Sequence, residues 1–283
     1  MTNFIIAADS ACDLPIEYTS QNNVKILNGR YFLRGREYIE NENNLSPNDF
    51  YREIKEGNAC SYSFINVTAL KEFFCEYLKE GKDILFISAS SKNSKTYSCA
   101  LTAAQIAAED FPKNKVYVLD SKSISAGEGL VVDFSVKMRK KGAGANETYE
   151  NLLKITEKLE SFVACGGIDY FVANKRLPKV SNVFFKNSIP IFSFNENGEF
   201  TPIVKAKNKQ HAINFLLEQL FKDELPRENE IYISHGNCPG EALAFSNLIK
   251  EKQPAADIKT LCAGAALGSI VGADSLGIFF IKK

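Results

Sequence analysis

The chain has 283 residues, with 34 Lys and Arg against 34 Asp and Glu, and hydrophobic residues make up 45% of it. This length is close to the limit of one hydrophobic core, so we expect two domains, spanning 1–146 and 147–283. A net charge of zero provides no basic field for nucleic acid or an anionic membrane surface. The apolar fraction excludes a disordered chain.

Seven cysteines are scattered along the chain and form no CxxC pair. This pattern favours buried thiols of a cytoplasmic protein over a zinc ribbon or a disulfide framework. The first nine residues carry no basic leader, and their apolar stretch is too short for a signal peptide, so we expect a strand there. Paired carboxylates at metal-ligand spacing are absent, and we expect neither a metal nor a cofactor.

Short apolar runs alternate with helical segments through the first half, which is typical of a parallel sheet covered by helices on both faces. The predicted strands are residues 4–8, 24–27, 84–88 and 116–119. The predicted helices are residues 47–55, with Ser46 as the N-cap, 69–79, 97–110 and 130–139.

The second half begins with a predicted amphipathic helix over 147–158 and then indicates an α/β domain with a mixed sheet. Its predicted strands are 162–164, 190–194, 202–206, 230–234 and 276–281, and its further helices are 209–221 and 240–252. The turn Asn195-Glu-Asn-Gly198 would join two of these strands as a hairpin.

One apolar stretch, residues 261–281, carries glycines at the four-residue spacing of packed transmembrane helices. Asp274 would cost roughly 3 kcal/mol near the bilayer centre. We therefore expect no membrane insertion, but a glycine-rich turn system followed by a buried strand.

Polar residues follow two of the predicted parallel strands at the edge where such sheets bind ligands. Capping is the favoured role of Ser10 and Asp13 after the first strand, and ligand contact is the alternative. The hydroxyl-rich loop 89–96 leads into a helix, whose free N–H groups and dipole favour an anion. Ser94 is the candidate for a direct hydrogen bond, with helix capping alone as the alternative.

Two other patterns carry less weight. Gly127 and Gly129 form a GxG without the third glycine of a dinucleotide fingerprint, so we interpret their loop as structural support. A nucleophile pair of Ser94 and His235 has neither a GxSxG elbow nor an identifiable orienting acid. For His235 we favour a loop position with a hydrogen bond to the backbone.

The ordered motifs resemble the DegV family, bacterial fatty-acid-binding proteins that include the carrier subunit of fatty acid kinase. The matching segments, in chain order, are Asp9-Ser-x-x-Asp13-Leu-Pro15, Ser90-Ser-x-x-Ser94-x-Thr-Tyr97, Asp120-Ser-Lys-Ser-x-Ser-x-Gly127-x-Gly129-Leu130, Ile168-Asp-Tyr with Arg176, and Gly264-x-x-x-Gly268-x-x-x-Gly272-x-x-x-Leu-Gly277. They span nearly the whole chain.

The resemblance implies two α/β domains with a fatty acid in an apolar tunnel between them and its carboxylate at the domain junction. A separate kinase subunit would phosphorylate the bound acyl group, so the protein itself would not be an enzyme. The 21 Phe, with abundant Ile and Leu, could line such a tunnel.

The chain departs from the family pattern at the carboxylate end. The usual Thr-Ser-Gln-Pro is here Tyr62-Ser63-Phe64-Ile65, and the histidine of the last glycine loop is Ile270. Lys207 stands where the family has an arginine, and the hydroxyl of Tyr62, Lys92 or Lys95 could replace the lost donors. The ligand-binding residues that the resemblance implies are Ser94, Ser63, Tyr62, Ser91, Ser269, Ile270 and Arg176.

Three hypotheses therefore stand at this point. The leading one is a cytoplasmic, non-enzymatic lipid-binding carrier that presents a long-chain fatty acid to a kinase. The second is an interaction module that keeps the fold but has altered or lost ligand binding, since Ile270 replaces a histidine. The third is a serine hydrolase using Ser94 and His235.

Overall fold

The computed structural model describes residues 4–166, 187–222 and 230–283. In chain order the strands are β1 (Phe4–Asp9), β2 (Val24–Leu27), β3 (Arg30–Leu33), β4 (Arg36–Ile39), β5 (Cys60–Ser63), β6 (Asp83–Ser88), β7 (Val116–Asp120), β8 (Leu159–Ala164), β9 (Ile189–Phe194), β10 (Phe200–Ala206), β11 (Glu230–His235), β12 (Asp257–Cys262) and β13 (Leu276–Ile281). The helices are α1 (Ile16–Gln21), α2 (Pro47–Lys55), α3 (Val67–Leu78), α4 (Thr96–Asp110), α5 (Ala126–Lys140), α6 (Ala145–Thr156), α7 (Lys209–Phe221), α8 (Pro239–Lys252) and α9 (Ala265–Val271), and a 3-10 turn, Ser10–Cys12, follows β1.

The sheet of the first half consists of four parallel strands in the order β2-β1-β6-β7. Alternate side chains of β1 enter two different cores. Ile5 packs among residues of α3 and α4 such as Phe74, whereas Ile6 packs on the opposite face with α5 residues such as Leu130. Burial on both faces explains the continuous apolar runs of these strands. The predicted parallel sheet covered by helices on both faces is confirmed.

A small antiparallel sheet, in the order β4-β3-β5, was not predicted from the sequence. Its strands have four residues each, and only alternate side chains are buried: Tyr31 and Leu33 point into a core with Phe50 and Tyr51, while Arg30 is exposed. Tyr31 lies opposite Tyr38 on one side and Tyr62 on the other. Such short, half-polar strands give too few apolar positions for a period of two to be recognised.

The sheet of the second half has six strands in the order β10-β9-β8-β13-β11-β12. The pair β11–β12 is parallel, and the other neighbours are antiparallel, so the predicted mixed sheet is confirmed. The predicted hairpin is present between β9 and β10, with the Gly198 amide donating to the Asn195 carbonyl over 2.8 Å. Strand β12 was not expected, since Asp257, Lys259 and Thr260 interrupt its apolar residues.

The glycine-rich turn system expected before the last strand is wrong in one respect, because helix α9 forms within it. Six of the seven α9 residues are buried, and the helix ends at Gly272, whose φ is 77°. Gly268 allows close packing, since a Cβ there would lie 2.5 Å from the Tyr51 hydroxyl. Burial between α2 and β5 therefore stabilises a helix that its glycines disfavour locally.

Helix α5 lies between the two large sheets. Its residues from 126 to 136 are all buried, and it contacts β1 and β6 on one side and β8, β11 and β13 on the other. One core therefore contains Leu130 and Val131 together with Val163, Tyr232 and Phe279 of the second sheet. Helix α6 packs against α5, β6 and β7. A boundary at residue 146 between two domains stays a prediction.

All seven cysteines are free thiols, as their scatter predicts. Cys12, Cys60, Cys165 and Cys238 are buried, and the other three are partly buried. Within residues 4–166, 187–222 and 230–283, no helix combines the length and apolar content needed to cross a bilayer.

Candidate functional site

A cavity of about 280 Å³ lies at the carboxyl edge of the parallel sheet, where β1 and β6 end. Residues from both halves of the chain form its wall. They are Asp9, Ala11, Tyr62, Phe64, Ile65, Ala89, Ser90, Asn93, Ser94, Lys95, Thr96, Ile124, Ala266 and Ile270. The position agrees with the rule that open parallel sheets bind ligands beyond the carboxyl ends of their strands.

One side of the cavity is the start of α4. Ser94 Oγ donates to Thr96 Oγ1 over 3.0 Å and accepts from the Thr96 amide over 3.1 Å. Thr96 Oγ1 in turn accepts from the Ile65 amide over 3.1 Å, which joins β5 to α4. The structure therefore places Ser94 on the wall, with its hydroxyl bonded to Thr96, the first residue of α4. Free N–H groups of the first helical turn make this side suited to an anion or a carbonyl oxygen.

The loop before α4 is fixed by the β9–β10 hairpin of the second half. Ser90 Oγ and Asn93 Nδ2 both donate to the Gly198 carbonyl over 2.6 Å. Gly198 has a φ of 82°, and a Cβ there would lie 2.7 Å from Ser90 Oγ. Sequence reasoning missed Asn93, because nothing local indicates a contact 105 residues away in the chain.

The other residues implied by the resemblance have different positions. Tyr62 and Ile270 are on the cavity wall, whereas Ser63, Ser91 and Ser269 are not among its lining residues. The Ser91 amide donates to Asp120 Oδ1 over 3.2 Å, and buried Ser269 donates to the Ala266 carbonyl over 3.4 Å. Arg176 lies outside the described residues.

Tyr62 turns its hydroxyl away from α4 towards a buried carboxyl group. The hydroxyl donates to Glu40 Oε2 over 2.9 Å and lies 3.2 Å from Ser10 Oγ. Ser10 Oγ donates to the same Glu40 oxygen over 2.6 Å, and Glu40 Oε1 accepts from the Ala265 amide at the start of α9. Burial raises the pKa of Glu40 and of Tyr62. These contacts attach α9, which carries Ile270, to the first half.

The turn after β1 differs from expectation. The sequence favours Ser10 and Asp13 as caps, and Asp13 is indeed the C-cap of the 3-10 turn, but the N-cap is Asp9, whose Oδ1 accepts from the Ala11 amide over 3.0 Å. Ser10 instead bonds Glu40, and Asp13 ends the turn with a φ of 53°. Glu40 is 30 residues from Ser10 along the chain, and no local pattern indicates their pairing.

Four carboxyl groups form a cluster next to the cavity, and the first of them also belongs to a lining residue: Asp9, Asp13, Glu40 and Glu128. Burial raises the pKa of Asp9 to about 6, although bonds from the Ala89 and Ala11 amides oppose the shift. Burial also raises the pKa of Asp13 and Glu128 well above its usual range, and the neighbouring carboxylates add to this. Neither Glu128 oxygen nor Asp13 Oδ2 accepts a hydrogen bond from the described amide, hydroxyl or cationic groups.

The charged cluster is not arranged as a metal site. Across the described ranges, no three His, Cys, Asp or Glu side chains are placed to hold a metal ion. The two members of the alternative nucleophile pair, Ser94 and His235, are hydrogen-bonded to other partners. His235 Nδ1 accepts from the Cys238 amide over 3.2 Å, while the Ser94 hydroxyl is bonded to Thr96. His235 thus has the expected backbone hydrogen bond, at the end of β11 rather than in a loop.

The parallel sheet, the mixed sheet and the cavity at their junction define a two-domain α/β protein with an internal cavity. The chain belongs to the DegV family, described as "Uncharacterised protein, DegV family", whose model matches residues 3–283. A DegV domain-containing protein of Clostridium perfringens, CPE0026, is 30% identical over 99% of this chain and 98% of its own length. A relative from Lactococcus lactis, YteA, is 26% identical over the same shares.

Solved structures share the fold at low sequence identity. A stearic-acid-binding protein from Eubacterium ventriosum matches with a TM-score of 0.87 and 19% identity, over 99% of this chain and 98% of that one. DegV from Bacillus subtilis, described as a fatty acid binding protein, matches with a TM-score of 0.84 and 22% identity, over 100% of both chains. The α/β architecture of this chain is thus that of the DegV family.

Proposed function

We propose that this protein binds a long-chain fatty acid in the cavity beside α4, without catalysing a reaction on it. The observation that carries the proposal is the cavity itself, which joins an apolar wall to a helix N-terminus within a DegV fold. Solved proteins of this fold bind stearic and heptadecanoic acid, according to their descriptions.

The apolar side of the cavity suits an acyl chain. Ile65, Ile124, Ala266 and Ile270 line it, and Phe64 stands at its rim with 47% of its surface exposed. Each methylene buried there contributes about 0.8 kcal/mol, so a chain can bind tightly through few polar contacts. A cavity of about 280 Å³ lies just below the usual range for small-molecule sites.

The polar side of the cavity suits the carboxyl end. Ser94 and Thr96 bring two hydroxyls to the first turn of α4, and Lys95 brings an ammonium group to the cavity wall. The free N–H groups in the first turn of a helix can donate to a carboxyl oxygen, whether the group is ionised or protonated. We therefore place the ligand's carboxyl group against Ser94, with the chain directed towards Ile270.

A carrier role for a kinase subunit is the finer part of the proposal. It follows from the resemblance to the carrier subunit of fatty acid kinase. Helix α4 is at the cavity rim, so a head group held there would face a partner protein. A cytoplasmic location, expected from the scattered free thiols, belongs to the same proposal.

Binding is tested on delipidated protein with decanoic and stearic acid, measured by titration calorimetry and native mass spectrometry. We expect one acid bound per chain, and an affinity reduced about tenfold in Ser94→Ala. Ser98→Ala is the matched control, because the Ser98 hydroxyl is exposed and donates to the Lys95 carbonyl over 2.9 Å. A protein that takes up no acid of either length contradicts the proposal.

One observation supports a second candidate function, an interaction module without a ligand. Ile270 lines the cavity at the position where the resemblance implies a histidine, so one head-group donor is missing. The absence of bound lipid after purification, combined with failure to bind added acid, would favour this alternative.

A further inference from the structure

Asp9 occupies an unusual position for a site that takes fatty acids, because this buried acidic residue is one of those that line the cavity. Its Oδ1 accepts from the Ala11 amide over 3.0 Å. Its Oδ2 accepts from the Ala89 amide over 3.2 Å and from Ser88 Oγ over 3.4 Å. Three contacts from two strand ends hold this carboxyl group in place, so it cannot turn away from an incoming ligand.

The ionisable groups around Asp9 add negative charge or none. Cys12 and Asp13 approach from its own turn, Glu128 from α5, Glu40 from the end of β4, and the Tyr62 hydroxyl from β5. Asp120, at the end of β7, acts on Glu128. None of these groups is a cation.

One cation, Lys95, lines the cavity within the described part of the chain. Its side chain is exposed, and its Nζ lies 5.6 Å from the centroid of the Phe64 ring, at the rim. An exposed ammonium group offsets little of the repulsion between two carboxylates that share a partly enclosed cavity.

We propose that Asp9 makes this cavity selective for acyl ligands whose head group is uncharged, an inference that rests on the proposed function. A fatty acid then enters together with one proton, taken from solvent and held by the ligand or by Asp9. Fatty alcohols and primary amides belong to the same ligand class, because they present a donor without a charge.

Two features of the structure support this choice. Like charges in a confined site do not both ionise, and burial has already raised the pKa of Asp9 to about 6. A carboxylate has about four acceptor positions. Three are occupied by the Ala11, Ala89 and Ser88 donors, and the Glu128 carboxyl group is also in hydrogen-bonding contact, so the O–H of a ligand would share the remaining position with Glu128.

The test compares decanoic acid with 1-decanol on the wild-type protein between pH 5.5 and 8.5. If one proton is taken up, the affinity for the acid should fall about tenfold per pH unit once Asp9 and the free acid have both lost their protons in solution. The affinity for the alcohol should change less than about twofold over the same range. Calorimetry in two buffers of different ionisation enthalpy should detect about one proton taken up with the acid and none with the alcohol.

Asp9→Asn provides the second arm. The variant should bind the acid with little dependence on pH, and Asp83→Asn should keep the wild-type slope. Asp83 is a matched control, since it also accepts from a backbone amide, that of Lys115 over 2.8 Å, but at the opposite end of β6. If Asp9→Asn does not fold, the comparison of acid with alcohol decides the question.

The outcomes separate this inference from the proposed function. Acid binding with equal affinity at pH 5.5 and 8.5, and without proton uptake, would overturn the selectivity while leaving lipid binding intact. Failure to bind either probe at every pH would instead contradict lipid binding itself.

Discussion

The Tyr62 hydroxyl and Glu40 Oε2 are 2.9 Å apart, and this hydrogen bond joins β5 to the segment that holds the start of α9. Glu40 is buried, and its carboxyl group also accepts from Ser10 and from the Ala265 amide. The phenol of Tyr62 therefore has a structural partner, which the sequence did not reveal.

Replacing Tyr62 by Phe should lower the free energy of unfolding by about 1 to 2 kcal/mol, because Glu40 loses one of its donors in a buried site. Urea denaturation at pH 7 measures the effect. Tyr117→Phe is the control, since Tyr117 pairs with the Tyr149 ring at 5.4 Å, away from the carboxyl cluster. Equal stability of Tyr62→Phe and wild type would show that the hydrogen bond contributes nothing.

The carboxyl cluster should make the protein less stable as pH rises. The pKa of Asp9 is raised from 3.8 to about 6, so the folded state binds the proton more tightly than the unfolded chain does. The stability that Asp9 contributes by binding this proton is fully present below about pH 4 and is lost as pH rises through 6. Between pH 5 and 8 the unfolding free energy should fall by roughly 1.5 kcal/mol from Asp9 alone.

Glu128→Gln tests the source of that pH dependence. Gln carries no charge to desolvate beside Asp9, so the variant should be at least about 1 kcal/mol more stable at pH 8, with a shallower slope. Asp133 changes the unfolding free energy with pH in the opposite direction. Burial alone would raise its pKa, but hydrogen bonds from Lys259, Tyr18 and Lys137 lower it. Its contribution is lost only under acid conditions, below the range measured. A steeper slope in Glu128→Gln would refute the assignment.

Local sequence signals predict well the elements whose bounds depend on interactions between residues close together in the chain. Helix α2 begins and ends as predicted, because Ser46 caps it through the Asp49 amide and Pro47 occupies the first turn. Helix α9 was not predicted, since its glycines and small residues favour turns until α2 and β5 pack on it. Tertiary packing, absent from local propensity, decides that segment.

The candidate site was predictable only in part. The polar residues at the ends of β1 and β6 indicated the correct edge of the sheet, and Ser94 lines the cavity as predicted, whereas Asp9 lines it without having been a candidate. Glu40 gave no signal, because it begins a run of polar residues that extends to Asn44 and its partners lie in distant segments. Glu128 had one usable signal, a charge within an otherwise small and apolar run at the start of a buried helix.

Gly264 should not tolerate a side chain. A Cβ there would lie 2.5 Å from Asp13 Oδ1 and 3.1 Å from Glu40 Oε1, both within the buried carboxyl cluster. Gly264→Ala should therefore cost about 1 to 3 kcal/mol through forced displacement of these groups. Gly144→Ala is a close control, since Gly144 precedes α6 as Gly264 precedes α9, and nothing lies within 4 Å of its Cβ position. Thermal unfolding of both variants should show a loss for Gly264→Ala alone.

Phe64 separates the proposed binding cavity from a neighbouring one. The second cavity, of about 430 Å³, is also lined by Phe64 and Ile65, together with Ile26, Leu27 and Ala69. Tyr62 and Ile65 are fixed by hydrogen bonds to Glu40 and Thr96, whereas the ring of Phe64 is half exposed and contacts the Lys95 ammonium group. The ring of Phe64 is thus the part of this partition that can move.

Removing that ring should join the two cavities. If lipid binds as proposed, Phe64→Ala should release bound decanoic acid about tenfold faster and shift the preference towards stearic acid, because the wall that ends the cavity is gone. Stopped-flow displacement of a fluorescent fatty acid measures the rate, and competition between the two acids measures the preference. Phe32→Ala is the matched control, since Phe32 is 39% exposed on β3 and lines neither cavity. Identical release rates and chain-length preferences in the two variants would show that Phe64 does not bound the ligand.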